Sequence, residues 1–249
     1  MYGASASSPL PPPRARNPRE VMIRAVIFDL DGTLANTEPL HFEAFAQILR
    51  NEGIELDREH YFRSLIGFDD HDCFATVLRE NGRQVTQAAL DELCARKASI
   101  YQGMIAGRDV THPGAAEFVR RCAERFPLII ATGTLRIEAE TILGCAGLRR
   151  FFMDIVAAED VEHGKPSPET FETALGRLGF LLRLHPPLEP AECLVVEDTA
   201  AGIEGAHRAG MPVLALCHDA SAEDLKAAEI VRKSIFEADL DDVLRRLLG

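Results

Sequence analysis

Two aspartates one residue apart, Asp29 and Asp31, close the oily run Ala25–Phe28 in RAVIFDLDGTLANTEPLH. Three more polar stretches follow at wide separations: ATGT (131–134), GKPSP (164–168) and VVEDT (195–199). Carboxylates can attack phosphorus or carry protons, lysine supplies a fixed cation, and threonine offers a hydroxyl, so this set is suited to phosphoryl transfer. Each has a plainer reading alone. Asp31-Gly32 is a turn dipeptide, Thr134, Asp198 and Thr199 suit helix N-caps, and Lys165 between a glycine and a proline reads as a solvated loop lysine.

The joint pattern carries more weight than its parts. In an open α/β sheet, ligands bind beyond the carboxyl ends of the strands, which is where all four stretches fall. Three carboxylates converging there call for a cation, most naturally Mg²⁺ held by oxygens of Asp29 and Asp198. Lys165 and the Thr132 hydroxyl then face phosphate oxygens, and the backbone N–H groups around Leu30, Asp31 and Gly133 form a concave donor set. On this reading Asp29 attacks to give an aspartyl phosphate, and Asp31 protonates the leaving oxygen and later activates water.

Those side chains need a scaffold, and the apolar patterning predicts one. Runs at 21–28, 127–131, 153–158, 193–197 and 212–216 lack strict alternation, as strands covered on both faces do. Helical periodicity at 114–125, 135–145, 168–179, 200–209 and 222–229 separates them. The expected fold class is α/β, a doubly wound parallel sheet with a Rossmann-like core. That core takes residues 21–35 and 109–249, an all-helical cap occupies 36–108, and residues 1–20 form a disordered tail rich in Pro, Ser, Ala and Arg. The segment LLRLHPPLEP (181–190) reads as a surface loop without a chemical role.

Composition narrows the function classes. With 27 basic against 39 acidic residues the net charge is −12, which repels nucleic acid and anionic membrane surfaces. Six cysteines without CxxC or His-rich spacing argue against a zinc site and for reduced core thiols, hence a cytoplasmic protein. The expected partner is a small phosphorylated metabolite, and the expected assembly a monomer.

FDLDGTL, ATGT, GKPSPETF and VVEDTAAGIEGAHRAGM, in this order and spacing, resemble the four motifs of the haloacid dehalogenase superfamily. The helical insertion after the first motif is similar to the C1 cap of the branch containing beta-phosphoglucomutase and phosphoglycolate phosphatase. The resemblance implies Asp29 as nucleophile, Asp31 as acid/base, Thr132 and Lys165 as phosphate binders, Glu197 with Asp198 as the acidic metal pair, and the Asp31 carbonyl as a further metal ligand. The founding dehalogenases lack an aspartate at the position of Asp31, so its presence disfavours dehalogenation.

A Mg²⁺-dependent phosphatase is therefore expected, with a beta-phosphoglucomutase-like phosphomutase as the alternative. A signalling receiver domain, which also uses a strand-end aspartate, places its acidic pair first and has no helical lobe. Thr37 and His41 lie at the cap entry; by resemblance to the mutases His41 positions Asp31, and otherwise it is an exposed helix residue. Arg50, Arg63, Arg79 and Arg83 are cap cations that could reach substrate. In SLIGFDDHD (64–72), Ile66 precedes Gly67 and Asp70 stands where the mutases resemble one another in having an arginine, which favours hydrolysis over mutation of phosphate position.

Overall fold

The apolar runs do become the strands of a parallel sheet in the computed structural model, which describes residues 22–66, 68, 70–218 and 221–248. The expected tail, residues 1–20, lies outside the described residues, as does Gly67. Six strands, β1 (Ala25–Phe28), β2 (Leu128–Ala131), β3 (Phe152–Val156), β4 (Cys193–Glu197), β5 (Val213–Leu216) and β6 (Ile230–Arg232), lie in the order β3-β2-β1-β4-β5-β6. β1 sits at the centre, with Ile27 level with Ile129 on one side and Val195 on the other. Chain progression reverses direction across β1, so a crevice opens beyond its carboxyl end and that of β4.

Alternate residues of each strand serve opposite faces. Val26, Phe28 and Ile130 enter one apolar cluster, while Ala25, Ile27, Ile129 and Val195 enter the other. Both faces need cover, which explains the absence of hydrophobic alternation along these strands. Phe28 locks the first cluster through edge-to-face contacts with Phe118 and Phe152 at 6.1 and 5.9 Å between ring centroids.

Helices α1 (Glu38–Asn51), α2 (Arg58–Ser64), α3 (Asp70–Glu80) and α4 (Gln87–Ile105) form a lobe between β1 and β2. They bury a separate cluster that includes Phe45, Leu49, Tyr61, Phe74 and Leu78. Asp57 caps α2 by accepting from the His60 N–H, and Thr86 caps α4 by accepting from the Ala89 N–H. The two chain crossings into the lobe run side by side: Asn36 N–H donates to Val110 O at 2.8 Å and His112 N–H to Leu34 O at 2.9 Å. The core helices are α5 (Ala115–Ala123), α6 (Arg136–Cys145), α7 (Glu169–Leu182), α8 (Ala200–Arg208) and α9 (Leu240–Leu248).

The structure departs from expectation in three places. Residues 222–229 form turns rather than a helix. The Ser221 hydroxyl donates to Asp224, and the backbone closes over three residues, as from Ala228 N–H to Leu225 O, because the chain must enter β6 at Ile230. β6 and α9 are additional elements, β6 being too short for periodicity to reveal. Finally, α7 runs to Leu182 and Leu188 is buried against the second core cluster, so part of 181–190 is structural and not merely a surface loop.

Candidate active site

Asp29 immediately follows β1, and its N–H donates to Val196 O at 3.0 Å, extending the β1–β4 ladder by one residue. That bond fixes the carboxylate at the carboxyl edge of the sheet, beside Glu197 at the end of β4. Lys165, from the loop preceding α7, reaches between them: Nζ lies 2.5 Å from Asp29 Oδ1 and 2.6 Å from Glu197 Oε1. All three are buried or nearly so. The other Glu197 oxygen accepts from the N–H groups of Asp198 and Thr199, both at 2.8 Å, and from the Thr199 hydroxyl. Thr199 also caps α8 by accepting from the Gly202 N–H at 3.0 Å, so here the plain reading and the functional one coexist.

Asp29, Glu197 and Asp198 each offer a carboxylate oxygen within 4.8 Å of the others. Thr33 donates to Asp198 Oδ1 at 2.8 Å, orienting it. Burial pushes the Asp29 carboxyl up to about 7, with Lys165 opposing and Glu197 adding to the rise. Asp198 is raised too, by burial first and then by Glu197 and Asp29. Burial would pull Lys165 down, but Asp29 and Glu197 outweigh it and hold the ammonium above its usual range.

The space around this cluster is kept by glycine. Gly32 has φ +80°, and a Cβ there would lie 2.1 Å from Asp198 Oδ2; a Cβ on Gly202 would lie 1.8 Å from Glu197 Oε1. An all-oxygen donor set, with surplus negative charge and no softer ligand, suits a small hard divalent cation such as Mg²⁺. The residues present therefore fit the metal that the sequence implies.

Asp31 points to a different set of partners. Thr37 donates to its Oδ1 at 2.6 Å, Thr132 to Oδ2 at 3.5 Å, and the Thr134 hydroxyl also donates to Oδ2. Thr37 precedes α1 without capping it, so the cap's first helix is tied directly to this carboxylate. Thr132 is buried, and its Oγ1 accepts from the Thr134 N–H at 3.1 Å. Gly133, between them, is exposed, whereas the Leu30 side chain is buried in the core and only its backbone belongs to the loop.

His41 is not an exposed helix residue and does not bond Asp31. Its Nδ1 lies 2.8 Å from Lys97 Nζ, and its ring stacks on Tyr101 at 4.1 Å. Because the ammonium only donates, Nδ1 accepts and the neutral ring keeps its proton on Nε2. Burial and Lys97 hold the imidazole well below its usual range, so it stays uncharged. Lys97 is 2% exposed and also donates to Asp70 Oδ1 at 2.8 Å, over the Phe45 ring. Arg50, Arg63, Arg79 and Arg83, by contrast, are all exposed. Sequence reasoning missed Lys97, whose one signal was a charge on the apolar stripe of α4, four residues from Tyr101. It also missed Thr33 and treated Thr134 only as a possible cap.

A parallel sheet presenting a nucleophile-ready carboxylate, a paired lysine and an acidic cluster at its switch point defines a phosphoryl-transfer enzyme. The family profile of haloacid dehalogenase-like hydrolases matches residues 23–210, and the chain belongs to that family. It is 32% identical over 217 residues to the validoxylamine A 7'-phosphate phosphatase of Streptomyces hygroscopicus subsp. limoneus, covering 87% of this chain and 96% of that one. It is 31% identical over 188 residues to the fructose-1-phosphate phosphatase of Escherichia coli (strain K12), covering 75% and 92%. The solved structure of CbbY from Rhodobacter sphaeroides in complex with phosphate aligns with a TM-score of 0.74 and 26% identity over 87% of this chain and 96% of that chain. The protein is a phosphoric monoester hydrolase of the haloacid dehalogenase type with a helical cap. No helix among the described residues is long and apolar enough to cross a membrane.

Proposed function

We propose that the protein is a cytoplasmic, Mg²⁺-dependent phosphatase of a small sugar-like phosphate, with Asp29 as nucleophile and Asp31 as proton carrier. The observation that carries this reading is the division of labour between the two aspartates. Asp29 is held by a lysine within an acidic cluster, and Asp31 by three hydroxyls two residues away. An Asp29 oxygen attacks phosphorus, the ester P–O bond breaks, and the leaving oxygen takes the proton carried by Asp31. Asp31 then accepts a proton from water, whose oxygen attacks the same phosphorus, releasing phosphate and restoring Asp29.

Lys165 holds Asp29 in line and offers its charge to the phosphate oxygens, while Thr132 and the N–H groups at Leu30 and Gly133 complete the cradle. Asp29, Asp198 and the Asp31 carbonyl would hold the metal, with Glu197 beside them, and Thr37 and His41 border the substrate. When bound, Mg²⁺ offsets the charge gathered on these carboxylates and the phosphate. Residues 36–108 act as the cap and rock on the paired crossings at 34–37 and 106–112. Six unpaired cysteines support a reducing compartment. The two named phosphatase relatives support a sugar-like substrate, fructose 1-phosphate being one of their substrates by name.

Hydrolysis is favoured over a mutase reaction because the buried cap lysine is already matched by Asp70. A mutase must grip a second dianion away from water, which needs uncommitted cations. The test measures phosphate release from a panel of sugar, nucleotide and glycolate phosphates by the wild type and by Asp29→Asn, which keeps the fold but should release none. Incubation with beta-glucose 1-phosphate and a trace of its bisphosphate separates the two reactions. Free phosphate is expected; rapid glucose 6-phosphate with little phosphate would establish the mutase instead.

A further inference from the structure

The first turn of α6, directly after the Thr132–Thr134 loop, carries a carboxylate that the reaction above does not use. Glu138 is 6% exposed. α6 packs against α4 of the cap, and on α4 Lys97 and Tyr101 stand four residues apart on one face. Glu138 is thus buried on the helix that meets the cap, and its carboxyl feels Lys97, Asp31 and Asp70. Tyr101 is fully buried beside it, with its hydroxyl next to Thr37 and in the field of Asp31 and Glu138.

The charge balance of this seam between α4 and α6 limits what ligand it can take. Lys97 is its buried cation, and Asp70 already holds it at 2.8 Å. His41 contributes no charge, because it is kept neutral, but its Nε2–H remains a donor. Burial pushes the Glu138 carboxyl up to about 7, Lys97 opposing and Asp31 and Asp70 adding to the rise, as befits a buried acid without a cation of its own. A second phosphate or a carboxylate on the leaving group would meet Asp70, Glu138 and Asp31 with no free cation among the described residues to offset it. Hydroxyl groups would find an acceptor in Glu138 and a donor in His41.

We propose that Glu138 is a specificity-determining residue that accepts a hydrogen bond from a leaving-group hydroxyl and repels a second anion. The enzyme then takes phosphomonoesters of neutral polyols and rejects those whose tail is charged. This inference rests on the phosphatase reading, and the two are separable by choice of substrate. Sorbitol 6-phosphate and 6-phosphogluconate have the same carbon chain and differ at one end, a hydroxymethyl against a carboxylate. p-Nitrophenyl phosphate has neither hydroxyls nor a second charge.

Steady-state kinetics with Mg²⁺ on these three compounds should show the wild type preferring sorbitol 6-phosphate to 6-phosphogluconate at least tenfold in kcat/KM. Glu138→Gln should narrow that ratio at least tenfold, mainly through KM, and leave kcat on p-nitrophenyl phosphate within about twofold. Glu138→Asp retains the charge and shortens the reach, so it should still reject 6-phosphogluconate while raising KM for sorbitol 6-phosphate. It also serves if the glutamine variant does not fold. A wild-type preference for 6-phosphogluconate, an unchanged ratio in Glu138→Gln, or an equal loss on all three substrates would overturn the assignment. A wild type inert toward p-nitrophenyl phosphate as well would overturn the phosphatase reading beneath it.

Discussion

Replacing Lys165 with methionine keeps most of the side-chain volume and removes a cation that touches both Asp29 and Glu197. Its side chain is 13% exposed and those of the two carboxylates 8% and 1%, so water screens little of the loss. Breaking a buried ion pair by deleting one partner costs about 3–5 kcal/mol. Proton uptake limits that cost. Asp29 already has its carboxyl raised to about 7 with the lysine present, and without the lysine it rises further. At pH 6 both proteins hold Asp29 protonated, so the variant loses least there. Above pH 7 the wild type ionises Asp29 against Lys165 while the variant keeps the proton. The stability difference therefore grows by up to about 1.4 kcal/mol per pH unit. Urea unfolding in EDTA at pH 6 and 8.5 should show the gap widening toward about 3–5 kcal/mol at the higher pH. At this chain length that corresponds to a melting shift of about 6–20 °C. Lys165→Met/Glu197→Gln should recover part of it, since one of the stranded charges is gone. A loss under about 1 kcal/mol at pH 8.5, or one that shrinks as pH rises, would refute the argument that burial and pairing govern this cluster.

Mg²⁺ should restore turnover stopped by EDTA and should raise the melting temperature more at pH 8 than at pH 5.5. The raised carboxyl of Asp29 favours the metal-free fold below about pH 4, and that advantage is lost as pH rises through about 7; Asp198, raised as well, acts in the same direction. The cation removes the resulting penalty, so calorimetry showing a larger gain at pH 5.5 would contradict this assignment of cause. Gly202→Ala places a methyl against the Glu197 carboxylate, and forcing it aside should cost about 1–3 kcal/mol and about 100-fold in kcat. Thermal melting and phosphate release from p-nitrophenyl phosphate measure the two effects, and an unaffected variant would show that Glu197 has slack.

The core strands and the residues at their ends were legible in the sequence because both signals are local. A strand covered on two faces must be continuously apolar, so a carboxylate that ends such a run stands out against it, as Asp29 and Glu197 do. Ligand placement beyond the carboxyl edge then follows from parallel topology alone. The segment 222–229 shows how far such a pattern reaches: Leu225 and Ala228 are buried at helical spacing, yet the nearby entry into β6 leaves only turns. The cap side of the site is harder still. A lysine on a helix reads as solvated, because isolated burial of an ammonium is costly. Lys97 is buried because His41, 56 residues away, and Asp70, 27 residues away, converge on its Nζ. Glu138 is hidden for a similar reason, since its surroundings exist only once α4 is laid against α6. The polar residues that end the strands thus stand out in the sequence, whereas the polar seam around Lys97 and Glu138 belongs to the tertiary structure. A buried charge is stable only beside partners that distant segments bring to it, and no local pattern records that meeting.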